Sequence, residues 1–181
     1  MRWTFAPALV LAAGAGSAHA VQYLTIEQAQ KQLFPAATEF RSAELLMTDA
    51  QRQAVSQASG MRVRDARVRA WSARDAQGGL LGRVLLDEVT GKHDLITYVV
   101  AVTPDGRVIG IEILDYRENY GGQIREPAWR AQFRGKTARD ALKIDADIAN
   151  IRGATLSCSH VADGVRRLLA TNELILNPRP A

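Results

Sequence analysis

The stretch "GGLLGRVLLDEVTGKHDLITYVVAVTPDGRVIGIEIL" constrains the fold of this chain more than any other. Three apolar runs are separated by turn residues, and Pro104-Asp105-Gly106 has the chemistry of a hairpin turn. Just upstream, Arg62, Arg64, Arg67 and Arg69 are interleaved with Val63, Ala66, Val68 and Ala70, a pattern that suits a half-exposed strand. Its basic side reads either as a docking face or, more simply, as a solvated one. Together these runs predict an antiparallel sheet from about Val63 to Leu114.

Helical grammar surrounds the sheet. "TIEQAQKQLFP" carries a capping box, Thr25 with Gln28, and ends at Pro35. "TDAQRQAVSQASG" repeats it with Thr48 and Gln51, and Gly60 supplies the C-terminal cap. "REPAWRAQFRGKT" reads as a short helix with Pro127 in its first turn. A last helix is predicted from about Ser159 to Ala170, with Val161, Val165, Leu168 and Leu169 on one face. The expected class is α+β, a single domain with an antiparallel β-sheet flanked by helices.

The first twenty residues read as a signal peptide. Arg2 gives a positive start, Phe5 to Ala15 a short apolar stretch, and Ala18-His19-Ala20 the pattern before a cleavage site after Ala20. The expected location is therefore periplasmic. About 160 residues remain, enough for one domain with a real core. Cys158 is the single cysteine, so stability rests on packing. The formal charge of +4 is modest, and with export it argues against nucleic acid as a partner.

Several chemistries have no footing. There is no C-x-x-C for a dithiol or zinc ribbon and no C-x-x-C-H for a c-type haem. His93 and His160 are far apart in sequence, and no metal-binding spacing is present. Cys158 and His160, at i and i+2 of a helix, point apart and do not make a nucleophile with its base. Cys158 reads as a small packing residue.

One stretch remains: "IANIRGATLSCSHVADGVRRLL". Gly153 and Ala154 leave the backbone bare, so a bulky group can approach. Thr155 presents a hydroxyl just before a helix whose first N–H groups lack backbone partners and favour an anion, above all a phosphate. Arg152 is placed by sequence to add positive charge, whereas Arg134 and Lys136 are not. On this physics alone, an ordinary N-cap is the favoured reading of these hydroxyls.

"GATLS" opening a helix, preceded by "WRAQFRGKTARDALKI" and "RENYGGQIREPAW", resembles the FMN-binding domain family. That family includes the subunits of sodium-pumping quinone reductase and the Rnf complex that carry covalent FMN. The likeness runs roughly from Leu95 to Ala170 through a sheet hairpin, a Glu-x-x-Gly-like loop, "FRGKT" and the Gly-Ala-Thr helix start. It divides the chain into a signal peptide (1–20), N-terminal helices and first strands (21–94), an FMN-binding core of the same domain (95–171) and a C-terminal tail (172–181).

The resemblance implies that a flavin transferase joins the phosphate of FMN through a phosphoester to Thr155. Gly153, Ala154, Leu156, Ser157 and Arg152 surround that position. Glu118, Gly121 and Gly122 form the loop that lies against the isoalloxazine ring. Tyr120 stands where many members have proline, and serves either to stack on the ring or as a surface aromatic. Arg152 replaces the usual Ser or Thr before Gly-Ala-Thr. Ala149 replaces an acidic residue six positions before the threonine, with Asp147 as a substitute two residues earlier.

The implied function is an exported flavoprotein electron carrier rather than a stand-alone enzyme. Its expected partner is a membrane-bound or periplasmic redox protein, cytochrome- or quinone-linked. The alternative is a non-redox binding or regulatory module that keeps the fold without covalent flavin. A third class, a Cys158-dependent enzyme, would need a reactive thiol.

Overall fold

Both predicted capping boxes form. The Thr25 hydroxyl accepts from the Gln28 N–H while the Gln28 side chain accepts from the Thr25 N–H, opening α1 (Ile26–Leu33). Thr48 and Gln51 do the same for α2 (Asp49–Ser59), which Gly60 ends at φ 66°. The computed structural model describes residues 23–118 and 121–178, so the expected signal peptide lies outside the described residues. Thr48→Ala removes one cap acceptor on an exposed helix end and is expected to lower stability by about 1 kcal/mol. Urea denaturation with an unchanged m-value checks it.

Six strands form one antiparallel sheet: β1 (Glu39–Ser42), β2 (Leu45–Leu46), β3 (Arg67–Arg74), β4 (Leu80–Thr90), β5 (Leu95–Val102) and β6 (Val108–Tyr116). The order is β1-β3-β4-β5-β6, and β2 pairs with the start of β3. β1 and β2 have no counterpart in the sequence expectation, because four residues and two are too short to show a period. The sheet also begins later than expected. Residues 62–66 are not strand, and the Val63 N–H donates instead to Ser56 Oγ of α2, at 3.0 Å.

β5 reads as a continuous apolar run because helices cover both of its faces. Ile96, Tyr98, Val100 and Val102 pack in one core with Cys158, Val161, Val165 and Leu169 of α4 (Thr155–Thr171). Val99 and Ala101 turn the other way, to Ala29 of α1 and to Phe34. At the far end of the hairpin, Gly106 takes φ 85° in the turn expected at Pro104–Gly106. α4 starts four residues earlier than the sequence predicts. Small and hydroxylated residues read as loop, yet Cys158 N–H closes the first turn on Ala154 O at 2.9 Å. At the other end a π turn, Asn172–Leu176, continues the helix, and Asn177 Nδ2 ties it to Pro104 O at 2.8 Å.

Two features of the packing matter later. Gly164 of α4 lies on Tyr98, where an added Cβ would overlap the phenol oxygen and sit 3.1 Å from Cζ. Tyr98 is fully buried and its hydroxyl donates to Asp87 Oδ2 at 2.8 Å, an oxygen that also takes Arg167. On the outer side of β6, three carbonyls find partners outside the sheet. Val108 O accepts from Gly135 N (2.8 Å), Ile111 O from the Arg130 guanidinium (3.0 Å) and Leu114 O from Tyr23 N (2.9 Å). Arg130 belongs to α3 (Pro127–Arg130), which Pro127 opens as expected, and it also pairs with Glu112.

Candidate functional site

Thr155 occupies the first turn of α4, and the N-cap position falls on Ala154, which has no side chain to cap with. The N-cap reading of these hydroxyls therefore does not hold. No side chain among the described residues caps this end of the helix, and the Thr155 side chain is exposed. Among the described residues its Oγ accepts one hydrogen bond, from Asn150 Nδ2 at 3.0 Å. The Asn150 carbonyl oxygen is buried and has no partner among the described residues, so the bond to Thr155 is the amide's one attachment.

The placement of Asn150 follows from the preceding helix. Trp129 Nε1 donates to Ala149 O at 2.8 Å, and Gln132 Oε1 accepts from Ala149 N at 2.7 Å. The Ala149 backbone is thus held on both sides, and the next residue meets Thr155. Trp129 is fixed in turn by an edge-to-face contact with buried Phe133, centroids 5.1 Å apart. "FRGKT" does related work. Gly135, at φ 76°, lets the chain turn onto the β6 edge, where Val108 N–H donates to Lys136 O at 2.9 Å.

Asp147, the substitute for the acid missing at 149, is engaged by its own loop and by Lys136. Its carboxylate accepts from the Leu142 and Lys143 N–H groups and from Lys136 Nζ, at 2.7–3.0 Å. Partial burial works against the charge, but the Lys143 N–H and Lys136 hold this carboxyl below its ordinary range. Lys136 is occupied here, as the sequence suggested, rather than at α4.

Opposite Thr155 stands the Glu118 end of β6. Glu118 Oε1 accepts from His93 N (2.5 Å) and Asp94 N (3.0 Å) in the β4–β5 turn. Burial alone would raise its carboxyl, yet the backbone N–H groups of Asp94, His93 and Lys92 outweigh it and lower it. Gly91 leaves room for this contact, since a Cβ there would come within 2.5 Å of Glu118 Oε1. Two distant pieces of chain are joined: a hairpin tip and the end of a strand.

Between them lies a cavity of about 350 Å³, lined by Lys92, His93, Glu118, Gly153, Ala154, Thr155, Leu156 and Ser157. Gly121, at φ 84°, closes one side, where a Cβ would overlap that of Ala154. Ser157 is buried and hydrogen-bonded to Tyr116, whose phenol is pushed up mainly by burial. Leu156 is 49% exposed, an apolar surface beside an alcohol. The chemistry is mixed: uncapped helix N–H groups and the Lys92 ammonium suit an anion, while Leu156 and the bare Gly153-Ala154 backbone suit a flat apolar body.

Residues 91–170 match the family model of the FMN-binding domain. This part of the chain is similar to the FMN-binding domain. A component of the proton-translocating ferredoxin:NAD(+) oxidoreductase complex of Clostridium ljungdahlii is 33% identical over 104 residues, covering 53% of this chain and 56% of that one. The alignment thus spans little more than half of that relative. The crystal structure of NqrC from Shewanella oneidensis has the same fold, with a TM-score of 0.53 over 75% of this chain and 80% of its own, at 18% identity.

Within residues 91–170, the structure brings Glu118, Gly153, Ala154, Thr155, Leu156 and Ser157 to one cavity, with Gly121 at its side. Gly122 turns to the next helical turn, where its carbonyl accepts from Arg125 Nε at 3.2 Å. Arg152 is exposed and does not line the cavity. Tyr120 lies outside the described residues. Lys92, His93 and Asn150 are the residues that sequence reasoning misses. Cys158 is fully buried, and burial pushes its thiol up, which removes the basis for a thiol nucleophile.

Glu118 gives a test of the loop contact. Its lowered value means that the stability it adds is present above the ordinary glutamate value, about 4.3, and is lost as pH falls through the folded value. Glu118→Gln keeps the shape but removes the charge. Protection factors of the His93 and Asp94 amides, each taken against the intrinsic exchange rate at the same pH, are expected to fall in this variant at pH 7, and in the native chain on acidification, with little change in β5.

Proposed function

We propose that this chain is an exported electron carrier with FMN joined through a phosphoester to Thr155. The observation that carries the reading is the Thr155 hydroxyl. It is exposed on a cavity wall, freed from capping its own helix, and held among the described residues by one bond from Asn150. An alcohol used only for helix capping would bind the N–H groups of its own first turn.

The remaining residues suit the rest of the cofactor. The uncapped start of α4 and Lys92 offer partners for a phosphate, and the Gly153–Leu156 surface offers contact to a ring. When bound, FMN supplies two-electron uptake and one-electron release, chemistry that no side chain of this site provides. The chain's part is to hold the group and leave its edge open to a partner. A cavity with so few contacts benefits from a covalent link, because tethering keeps a weakly held group at high local concentration. A flavin transferase would mature the protein, and a membrane-bound redox protein would exchange electrons with it. The names of the relatives support that last expectation.

Intact-mass spectrometry on protein isolated from its own cells tests the reading. A mass raised by one esterified FMN, with the adduct mapped to the peptide containing Thr155, supports it. The bare polypeptide mass overturns it and leaves a module that keeps the fold without covalent flavin. Loss of residues 1–20 in the same spectrum tests export.

A further inference from the structure

A second, larger cavity of about 550 Å³ lies between the 61–69 segment, β4 and α4. The flavin reading does not use it. Its wall includes Thr90 and His160, joined by a 2.5 Å contact from His160 Nδ1 to Thr90 O. Its floor is apolar: Met47, Val63, Val68 and Leu168 are all buried in one cluster.

The charges at its rim are unequal in availability. Asp87 is taken by Arg167, Glu88 by Arg69 at 3.4 Å, and Asp163 by Arg166 at 3.0 Å. Asp65 accepts from the Arg67 backbone N–H at 2.8 Å. The guanidiniums of Arg62, Arg64 and Arg67 are exposed and have no acidic partner among the described residues. Three unpaired cations above a closed apolar floor are more than a solvated strand face needs. A guanidinium recognises carboxylate or phosphate oxygens in a planar fork, and a volume of this size accepts a small organic molecule.

We infer that this cavity binds an organic anion: a carboxylate or phosphate monoester head, held by Arg62, Arg64 and Arg67, on an apolar body seated against Met47, Val63 and Val68. The head groups of anionic lipids share this chemistry with free metabolites. Enclosure by the cavity distinguishes a free molecule from a lipid in a bilayer.

Titration calorimetry of the full chain with 2-naphthoate, and with the neutral 2-naphthalenemethanol, tests the inference. Saturable one-to-one binding of the carboxylate, at least tenfold tighter than the alcohol, is expected, since a bond to a charged group adds about 1.5–3 kcal/mol. The triple variant R62Q/R64Q/R67Q should erase that preference while circular dichroism and the melting curve stay unchanged. Met61→Trp, at the cavity wall, should weaken both probes by filling the space. Equal binding of the two probes, undiminished binding in the triple variant, or no saturable heat would overturn the site. So would association with phosphatidylglycerol vesicles alongside no binding of free naphthoate, which would mark a surface attraction rather than a cavity.

Discussion

Thr155→Ala is expected to give a folded protein that carries no covalent flavin. The two consequences separate because the residue sits at an exposed position in the first turn of α4, where alanine is a good helix former. The loss to folding is confined to one exposed hydrogen bond from Asn150, and a change within about 0.5 kcal/mol is expected. The loss to attachment is complete, since carbon cannot replace the ester oxygen. Protein co-produced with a flavin transferase should stay yellow through denaturation and dialysis when native and turn colourless as Thr155→Ala. Thr155→Ser keeps an alcohol on the same Cβ and should retain the adduct. Flavin persisting in denatured Thr155→Ala would move the linkage to another residue and sink the assignment.

Gly164→Ala is expected to cost about 2–4 kcal/mol, although propensity alone argues the reverse. Replacing a mid-helix glycine by alanine normally gains about 1 kcal/mol. Here the new methyl would overlap the Tyr98 hydroxyl and crowd Val89 Cγ1 at 3.1 Å. Tyr98 cannot retreat, because it is fully buried and its hydroxyl is bound to Asp87. Overpacking of a closed core costs about 1–3 kcal/mol, and loss of a bond to a charged acceptor adds about 1.5–3 kcal/mol. These exceed the propensity gain. Urea melts of Gly164→Ala in native and Tyr98→Phe backgrounds separate the causes: removing the phenol oxygen should recover part of the loss. Equal costs in both backgrounds would exclude the Tyr98 contact as the source.

How much of this was legible beforehand depended on the range of the interaction. The capping boxes at Thr25 and Thr48, the Gly60 cap, the turn at Gly106 and the entry of Pro127 into α3 are set by residues within one or two turns, and each is where the sequence places it. The start of α4 was misread because hydroxyls favour loops locally, while Cys158 and its neighbours are drawn into the core. β1 and β2 form because β3 offers them partners, which no local pattern reports.

The site divides along the same line. Gly153-Ala154-Thr155 is contiguous and was visible. Lys92 and His93 reach it through Glu118, about 25 residues along the chain, by bonds to backbone N–H groups that carry no side-chain signature. Asn150 depends on Trp129 and Gln132 holding the Ala149 backbone, a contact between a helical segment and a loop about 20 residues away. Asp147 is held by the Leu142 and Lys143 N–H groups and by Lys136, partners that its place in the sequence does not announce.

The three partnered carbonyls of β6 have a consequence for colloidal behaviour. A terminal strand with open acceptors is a template on which another polypeptide can add itself and start a fibril. Gly135, Arg130 and Tyr23 occupy those acceptors, and the opposite border, β1, offers only four residues. Together these contacts and the shortness of β1 leave little open ladder on either margin for another polypeptide to extend.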